Sequence, residues 1–419
     1  MPDNPKVLVV GTTTDYIDWL RRAAPGRALY LTAPSIREKA QEPKPTPDEE
    51  LLGDLTDPEG IFIALDRHLR EYHITLVGVA CFDCESLDLA AVLATRHNLP
   101  FPTRESIGLC RDKLLSKQTW QKSGVRSPRT RLVRSAPEAA EFFAGIAAPC
   151  VLKPVAGSGS ELVFRCDTAE ACASSYQLIR QGLRARHGRE LYRNHDGIAA
   201  EEFIHGEEFS CDFIVLPDRV EILRLTRKLH AAPSTPEAPF GTIMGYALLL
   251  DAPTSFSVET LRTILGQGAS ALGCTGLICM VDFLVDPQGI SLLEMTPRPG
   301  GDCLPQLIRE ACDIDILVLT LELAAGQPLP PRNRGREKIG LRLHSRRAGR
   351  ITAIDATAIS NDPRVSEVNL IKSVDSVVTM PPADYDSWYL GHAIFTPAPD
   401  INLEHQCRDL RAQLTVNYA

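Results

Sequence analysis

The sequence has little that would suit a nucleic-acid-binding or membrane protein. Its 45 Lys and Arg residues are outnumbered by 53 Asp and Glu residues, so the net charge is −8, and no long basic run could follow a phosphate backbone. No apolar run reaches the ~18 residues that a membrane helix requires. The first residues, MPDNPKVLVV, lack the pattern of a signal peptide. We therefore expect a cytoplasmic protein that binds neither nucleic acid nor membrane.

Several common cofactor motifs are also missing. Gly11 ends the first predicted strand but three threonines follow it, so the dinucleotide motif GxGxxG is absent. The phosphate loop that ends in GK[ST] is absent as well. The twelve cysteines are scattered through apolar segments, and the CxxC pair of Cys81 and Cys84 has no second pair. The cysteines therefore predict reduced, packed thiols rather than disulfides, a zinc site or a redox site.

The sequence does contain the alternation that is typical of an α/β protein. At 419 residues the chain is too long for one compact core, and two to four domains are expected. Apolar runs at residues 6–10, 28–32 and 74–79 alternate with helical patterns at 16–23, 61–69 and 87–95. This alternation predicts a parallel α/β domain at the start of the chain.

The most informative pattern is a predicted hairpin near residue 290. Two apolar runs, 277–285 and 290–295, flank a turn with the composition Asp-Pro-Gln-Gly. A hairpin centred on Gln288 places Asp282 directly opposite Glu294, and the two-residue period of a strand places Thr296 on the same face. Two facing carboxylates are destabilising unless a cation lies between them, and oxygen ligands suit Mg²⁺ or Mn²⁺. The alternative is an ordinary hairpin whose acids reach water.

An arginine follows this hairpin at once. Arg298 lies between Pro297 and Pro299, which stiffen the chain, and Gly300 and Gly301 come next. We expect its planar guanidinium to lie beside the two acids. A metal ion and a guanidinium together predict a site that binds phosphate.

A lysine and a glycine-rich loop form a second candidate phosphate site. The apolar strand at residues 150–154 carries Lys153 near its end, and another strand is predicted at 161–166. The loop between them would be a flap whose backbone N–H groups cradle phosphates, because glycine lets the main chain approach closely. The candidate residues of the loop are Gly157, Ser158, Gly159 and Ser160. A plain hairpin turn is the alternative.

A candidate nucleoside site lies at residues 198–215, where strand, turn and strand are predicted. Backbone at the end of such a strand can offer an N–H and a C=O to adenine, and a carboxylate such as Glu208 can hold both ribose hydroxyls. The candidate adenine-binding residues are Glu201, Glu202, Phe203 and Ile204. The alternative is a set of exposed acids at a strand end.

The last part of the chain gives weaker signals. One helix is predicted at residues 304–325, and prolines near residue 330 mark a boundary. Strands are predicted at 339–343 and 368–371, and a helix at 403–414. Arg342 and His344 are predicted to be surface or interdomain groups rather than catalysts.

In this order, the motifs resemble the ATP-grasp superfamily over nearly the whole chain. The resemblance implies the ATP-grasp fold: a Rossmann-like pre-ATP-grasp domain at 1–107, a core at 108–335 and a C-terminal α/β region at 336–419. The core would contain a flexible lobe at about 130–200. Seven weak motifs in the expected order are far more specific than any one of them.

The resemblance also implies a role for each candidate residue. Lys113 and Lys153 would bind the phosphates of ATP, residues 157–160 would form the flap, residues 201–204 the adenine hinge, and Glu208 would bind the ribose. The implied metal ligands are Asp282, Glu294 and Thr296, and the implied catalytic arginine is Arg298. Thr296 departs from the asparagine that is usual there, and a hydroxyl is a poorer metal ligand than an amide carbonyl.

Within the superfamily, the run LLEMTPRPGGD, Lys228 before a proline-rich loop and the C-terminal region look most like the bacterial L-amino acid ligases. This implies ATP and Mg²⁺ (or Mn²⁺) as cofactors, small-molecule carboxylate and amine substrates, and leaves a homodimer open. The implied reaction proceeds through an acyl phosphate to an amide or dipeptide, with release of ADP and phosphate. The alternatives are a carboxylase, a phosphoribosylamine ligase of the purine type, or a catalytically degenerate ATP-binding regulator.

Overall fold

The computed structural model describes residues 4–157, 159–186, 197–231, 239–331 and 335–419. Its helices are α1 (Thr14–Ala23), α2 (Pro34–Arg37), α3 (Pro58–Glu71), α4 (Leu87–Arg96), α5 (Arg104–Arg111), α6 (Lys113–Lys122), α7 (Ala136–Ile146), α8 (Ala169–Ala185), α9 (Val258–Ala271), α10 (Leu304–Cys312), α11 (Ile316–Ala324), α12 (Thr357–Ser360) and α13 (Leu403–Ala412).

Its strands are β1 (Pro5–Val10), β2 (Ala28–Thr32), β3 (Glu50–Leu52), β4 (Thr75–Ala80), β5 (Thr130–Val133), β6 (Cys150–Pro154), β7 (Phe164–Cys166), β8 (Ile198–Glu202), β9 (Glu207–Val215), β10 (Val220–His230), β11 (Ile243–Leu248), β12 (Leu277–Asp286), β13 (Gly289–Thr296), β14 (Ile339–His344), β15 (Gly349–Asp355), β16 (Val365–Leu370), β17 (Val377–Val378), β18 (Tyr389–Phe395) and β19 (Thr415–Tyr418). Among the described residues, no helix is long and apolar enough to cross a bilayer.

The N-terminal part of the chain forms a parallel sheet in the order β3-β2-β1-β4. The central strand β1 is almost fully buried, with Leu8, Val9 and Val10 inaccessible to solvent. A strand that is buried on both faces needs helices on both faces, and α1, α3 and α4 lie against this sheet. The predicted parallel α/β domain is therefore confirmed.

A second, antiparallel sheet has the order β5-β8-β6-β7, and we call it the lobe sheet. Leu152 and Ala200 on one of its faces pack with Ile179 of α8 around a small core. Side chains alternate along β6, so Leu152 is buried while Lys153 faces the other way. The helices thus cover one face of the lobe sheet and leave the other face for a site.

The largest sheet, which we call the central sheet, has eight strands in the order β13-β12-β9-β10-β11-β14-β18-β16. Strand β14 pairs with β11, with Gly245 opposite Leu341. The segment after residue 335 therefore continues the same sheet that carries the β12–β13 hairpin. Its domain boundary stays a prediction, since nothing in the sheet separates the two parts.

Two predicted elements differ from the structure in extent. The helix predicted at 304–325 is broken into α10 and α11, because Asp313 adopts a left-handed φ of 54° and Asp315 caps α11 by accepting from the Leu317 and Val318 N–H groups. The strand predicted at 161–166 begins only at Phe164, since Leu162 has a φ of 58° that no strand accommodates.

Candidate nucleotide and metal site

A cavity of about 690 Å³ lies between the lobe sheet and the central sheet. Val151 and Leu284 from opposite sheets line it, and charged side chains from both sheets and from α6 project into it. The sequence-predicted residues that it brings together are Lys113, Lys153, Gly157, Ser160, Glu201, Glu202, Phe203, Ile204, Glu208, Asp282 and Glu294. Eleven candidate residues from separate motifs thus line a single cavity.

The two acids of the β12–β13 hairpin face each other as predicted. Asp286 pairs with Gly289 across a two-residue turn, whereas Asp282 pairs with Glu294, so the register shifts by one residue on β13. The shift is a β-bulge between Leu292 and Glu294. Without it, the tight turn would have paired Asp282 with Leu293 and turned Glu294 away from the cavity. The predicted pairing is confirmed, while the role of both acids as metal ligands stays a prediction.

The surroundings of the two carboxyl groups shift their pKa values in opposite directions. Burial raises the pKa of Asp282, because the attraction of Lys228 does not offset desolvation and the repulsion from Glu294. Burial opposes ionisation of Glu294 too, but Lys113, Lys153 and Lys228 together lower its pKa to about 2. The Oδ1 atom of Asp282 is buried and accepts no hydrogen bond from any described residue. Hard oxygen donors with an unsatisfied buried atom fit Mg²⁺ or Mn²⁺.

Lys113 lies at the start of α6, between the flap and the hairpin. The Asp112 side chain caps this helix by accepting hydrogen bonds from the Leu114 and Leu115 N–H groups at 2.8 and 2.9 Å. Lys113 Nζ lies 3.2 Å from Glu294 Oε2 and donates to the Gly157 carbonyl oxygen at 2.8 Å. The cap therefore fixes the residue that connects the glycine-rich loop with the predicted metal site.

Glu201 holds two lysines at the base of the cavity. Its carboxylate oxygens lie 2.8 Å from Lys117 Nζ and 2.8 Å from Lys153 Nζ. Lys117 is fully buried, and it also donates to the carbonyl oxygen of Leu293, the extra residue of the bulge, at 2.7 Å. Burial lowers the pKa of Lys117 to about 8 even though Glu201 raises it. The Glu201 side chain is thus engaged by lysines, so any contact with adenine would come from its neighbours.

Lys228 and Glu208 form an ion pair on the adjacent strands β10 and β9. Lys228 Nζ lies 2.6 Å from Glu208 Oε1 and 2.6 Å from Asp282 Oδ2, and His230 Nε2 lies 3.0 Å from Glu208 Oε2. Burial alone would raise the pKa of Glu208, but Lys228 and His230 lower it to about 2. The predicted ribose acid is therefore ionised beside the predicted metal site.

The segment after β8, which is predicted to be the adenine hinge, borders the cavity. Phe203 N–H donates to the Pro149 carbonyl oxygen, whereas no described residue makes a backbone hydrogen bond to the N–H or C=O of Ile204. Phe203 and Ile204 line the cavity, and the Arg165 guanidinium lies 4.4 Å from the centre of the Phe203 ring. Glu202 is drawn outward by an ion pair with Arg129 at 2.9 Å. Within the described part of the chain, the backbone groups of Ile204 thus have no backbone partner.

The glycine-rich loop turns back between β6 and β7. Gly157 and Gly159 have positive φ values of 140° and 66°, and Ser160 follows at 59°. Gly157 and Ser160 line the large cavity, while Gly159 lines a smaller neighbouring cavity with Ser160. Ser158 lies outside the described residues. The loop does connect two antiparallel strands, as predicted for a flap.

Besides Gly159, the described site candidates that do not line the large cavity are Arg298 and Thr296. Thr296 ends β13 opposite Met280. Arg298 is directed towards the N-terminal domain, where its Nε and Nη2 atoms lie 3.2 and 3.0 Å from Cys84 Sγ. Its Nη1 atom donates to the Pro299 carbonyl oxygen at 2.7 Å. The predicted roles of both residues stay predictions.

Sequence reasoning missed the role of Lys117 and gave Lys228 no contact. Lys117 follows Lys113 by four residues on one helix face, which was a usable signal. The two acids beside Lys228 come from β9 and β12, and only the order of the strands in the sheet brings them together. The sequence predicts only a packing role for Cys84, and its contact with Arg298 joins residues 214 positions apart.

Residues 146–306 match the ATP-grasp domain family. The chain is 28% identical over 235 residues to the uncharacterized protein y4rH of Sinorhizobium fredii, covering 56% of this chain and 46% of that protein. It is also 28% identical over 194 residues to the D-alanine–D-alanine ligase of Verminephrobacter eiseniae, covering 45% of this chain and 55% of that enzyme. The chain thus spans about half the length of these curated relatives.

A solved structure resembles the whole chain. The L-amino acid ligase from Bacillus licheniformis superposes with a TM-score of 0.76 at 18% identity, and the match covers 100% of both chains. The chain therefore has the ATP-grasp fold and contains an ATP-grasp domain. The resemblance read from the motifs is confirmed at this level.

Proposed function

We propose that this protein is an ATP-dependent ligase that joins a carboxylate to an amine, forming an amide or dipeptide bond and releasing ADP and phosphate. The observation that carries the proposal is the grouping of Lys113, Lys153 and Lys228 around the facing carboxylates Asp282 and Glu294 in one cavity. The names of its relatives, which include D-alanine–D-alanine ligases and an L-amino acid ligase, support amide formation.

The cavity suggests how ATP would lie. The backbone N–H and C=O of Ile204, which have no backbone partner among the described residues, would bind the adenine edge, and the ring would rest between apolar side chains such as Val151 and Leu284. Glu208 would accept hydrogen bonds from the ribose hydroxyls. The three lysines would then surround the terminal phosphates, because they are the cations of the cavity that lie nearest the two acids.

In the first step, a carboxylate oxygen of the acid substrate would attack the γ-phosphorus as the bond to ADP breaks. The lysines would offset the charge that spreads over the phosphoryl oxygens, and an acyl phosphate would form. In the second step, the amine nitrogen would bond to the carbonyl carbon as the C–O bond to phosphate breaks. Of the two protons that an ammonium nitrogen loses, one would leave with phosphate and the other would pass to solvent.

Asp282 and Glu294 would hold Mg²⁺ or Mn²⁺, with Thr296 as a weaker third candidate. When bound, the ion supplies positive charge to the phosphate oxygens. Lys228 already contacts Asp282, so the acids are neutralised by a side chain of this protein when no ion is present. The family resemblance is the support for a further proposal, that Arg298 stabilises the oxyanion of the second step; its guanidinium contacts Cys84 outside the cavity, so the acyl group would have to approach it there.

The proposal is tested by incubating the protein with ATP, Mg²⁺ and the twenty amino acids, singly and in pairs. Chromatography should show ADP, phosphate and an amide product. Hydroxylamine in place of the amine should trap the acyl phosphate as a hydroxamate. Glu294→Gln should abolish both products, while the control Glu259→Gln, which changes an exposed acid on α9, should not.

Each other result points to a different function. AMP and pyrophosphate would contradict the proposal, because they indicate an acyl adenylate. Phosphate release that depends on bicarbonate would indicate a carboxylase. ATP binding without phosphate release in any mixture would indicate a regulator that has lost catalysis.

A further inference from the structure

The face of the central sheet that carries the metal acids continues into the C-terminal region. Lys228 lies opposite Tyr246, and Tyr246 lies opposite Gly340. Arg342 follows Gly340 by two residues, so it lies on the same face of the sheet as Lys228. One row of side chains thus runs from the predicted metal site to a residue beyond position 335.

Asp302 and Arg342 form an ion pair on this face. Arg342 Nε lies 2.5 Å from Asp302 Oδ2, and the two side chains are 18% and 20% exposed. The guanidinium also lies 4.9 Å from the centre of the Tyr389 ring. Asp302 adopts a left-handed φ of 62°, an unusual conformation for a residue with a side chain. It follows Arg298 by four residues, so the pair lies close to the predicted catalytic arginine in the chain.

Polar atoms in this cluster lack partners. Asp302 Oδ1 and both ring nitrogens of His344 are buried and make no hydrogen bond to any described residue. His344 is 2% exposed and stacks on Trp388 with ring centres 4.2 Å apart. Buried polar atoms are almost always satisfied in native proteins. A group of them in one place indicates that a polar ligand completes the site.

The cluster is connected to the large cavity between the lobe sheet and the central sheet, which we call the nucleotide cavity because of its proposed function. Arg342, His344 and Tyr389 line a small cavity together with Ser160 of the flap. Ser160 also lines the nucleotide cavity, as do Phe240 and Gly241. A ligand beside Arg342 would therefore lie next to the flap that covers the terminal phosphates.

The charges restrict what that ligand can be. A ligand with only a carboxylate would draw Arg342 away and leave Asp302 largely buried without a counter-charge. A ligand with only an ammonium group would pair with Asp302 and leave Arg342 without a counter-charge. Either outcome is unfavourable, because an uncompensated buried charge is costly. A ligand that carries both charges replaces one ion pair with two.

We propose that Asp302 and Arg342 bind the amine substrate, and that this substrate is an α-amino acid held as a zwitterion. Its carboxylate binds the planar guanidinium of Arg342, and its amino group binds Asp302. The carboxylate held by Arg342 stays free in the product, so it is not the one that is phosphorylated. This inference rests on the proposed ligase function, and it assigns a role to β14 that sequence reasoning did not.

The test uses two amine acceptors with the full chain. Hydroxylamine needs neither Asp302 nor Arg342, whereas an amino acid needs both. For Arg342→Met and Asp302→Asn we expect the KM for the best amino acid acceptor to rise at least tenfold. The KM for ATP and the rate of hydroxamate formation should change less than twofold. Arg342→Lys keeps the charge but loses the planar guanidinium, so its KM for the amino acid should lie between those of the wild type and Arg342→Met.

Arg347→Met is the matched control. Arg347 is in the same region and lies 4.9 Å from the centre of the Tyr418 ring, as Arg342 does with Tyr389. The Arg347→Met variant should leave the KM for the amino acid, the KM for ATP and the rate of hydroxamate formation unchanged. Two analogues of the best amino acid are tested with the wild type. The α-hydroxy acid, which lacks the amino group, should compete at least tenfold more weakly than the amino acid binds. The primary amine, which lacks the carboxylate, should be at least a tenfold poorer acceptor.

The outcomes separate this inference from the ligase proposal. If the wild type forms no hydroxamate with any acid, the ligase function is wrong. If it does, but Arg342→Met and Asp302→Asn lower hydroxamate formation as much as amide formation, the pair does not bind the amine and this inference is overturned. Equal use of a primary amine that lacks a carboxylate would overturn it as well.

Discussion

The guanidinium of Arg298 contacts the sulfur of Cys84, with Nε at 3.2 Å and Nη2 at 3.0 Å. This contact joins the end of the β12–β13 hairpin to the loop after β4 in the N-terminal domain. Arg298 is also close enough to influence the ionisation of the buried Asp83. The arginine is thus held at the junction of the N-terminal domain and the central sheet rather than directed into the nucleotide cavity.

For Arg298→Ala we expect turnover to fall by at least a hundredfold while the affinity for ATP changes less than threefold. The physical reason is that the oxyanion assigned to Arg298 develops only during the reaction. Steady-state kinetics and calorimetric titration with ATP give the two quantities. An alanine variant with normal turnover would remove the role proposed for Arg298.

For Lys153→Ala we expect the dissociation constant for ATP to rise more than tenfold, which corresponds to about 1.4 kcal/mol. The buried phosphate would lose a charge-assisted partner. The control is Lys122→Ala, because Lys122 is exposed at the end of α6. Equal affinities of the Lys153 variant and the wild type in a calorimetric titration would contradict the assignment.

We expect Mg²⁺ to bind tightly only when nucleotide is present. Lys228 neutralises Asp282 in the protein alone, and Mg²⁺ prefers sites that include substrate phosphates. Titration of Mn²⁺, followed by its paramagnetic signal, should show weak binding to the protein alone and strong binding with a non-hydrolysable ATP analogue. Asp282→Asn should weaken only the Mn²⁺ binding that is measured with the ATP analogue. Tight binding without nucleotide would be inconsistent with this account.

For Lys117→Met we expect the free energy of unfolding to fall by about 3 kcal/mol, because the variant leaves Glu201 with one partner and the Leu293 carbonyl without its donor. Denaturant unfolding measures the change. The double variant Lys117→Met, Glu201→Gln should lose less than the sum of the two single variants, since the residues are in contact. Strict additivity would show that the ion pair contributes little.

Stability should depend on pH through Asp83. Burial and the nearby Glu85 raise the pKa of Asp83 to about 6 from an ordinary value of 3.8. The folded state therefore binds more protons than the unfolded state between these values, so this contribution to stability is present below pH 3.8 and is lost as the pH rises through 6. Asp83→Asn should melt above the wild type at pH 8 and approach it at pH 4, as measured by thermal unfolding. The reverse order at pH 8 would disprove the assignment.

The sequence allowed the hairpin pairing to be predicted because strand period and turn composition are local properties. Asp282 faces Glu294 as expected, yet the tight turn by itself would have produced a different register. The bulge that corrects the register leaves the Leu293 carbonyl for Lys117, which is 176 residues away in sequence. No local pattern can reveal a partner at that separation.

The same reasoning applies to Arg342 and His344, which the sequence predicts to be surface or interdomain groups. His344 is buried and Arg342 is half-buried because β14 pairs with β11, and that pairing joins segments on either side of the α9 helix and the β12–β13 hairpin. Strand order in a mixed sheet depends on packing of the whole chain. The parallel N-terminal sheet was easier to predict, since each strand there is joined to the next by a local helix.

The continuity of the central sheet across residue 335 bears on how such proteins could diversify. The residues proposed to bind nucleotide lie before that position, as does Asp302, whereas the proposed carboxylate-binding Arg342 lies after it on β14. Exchanging the segment 336–419 between two related chains that both have Asp302 would therefore change the carboxylate-binding half of the proposed acceptor site and leave the proposed ATP-binding residues in place. The incoming segment would have to match the hydrogen-bonding edge of β11 and keep ion pairs such as the one between Arg309 and Glu367.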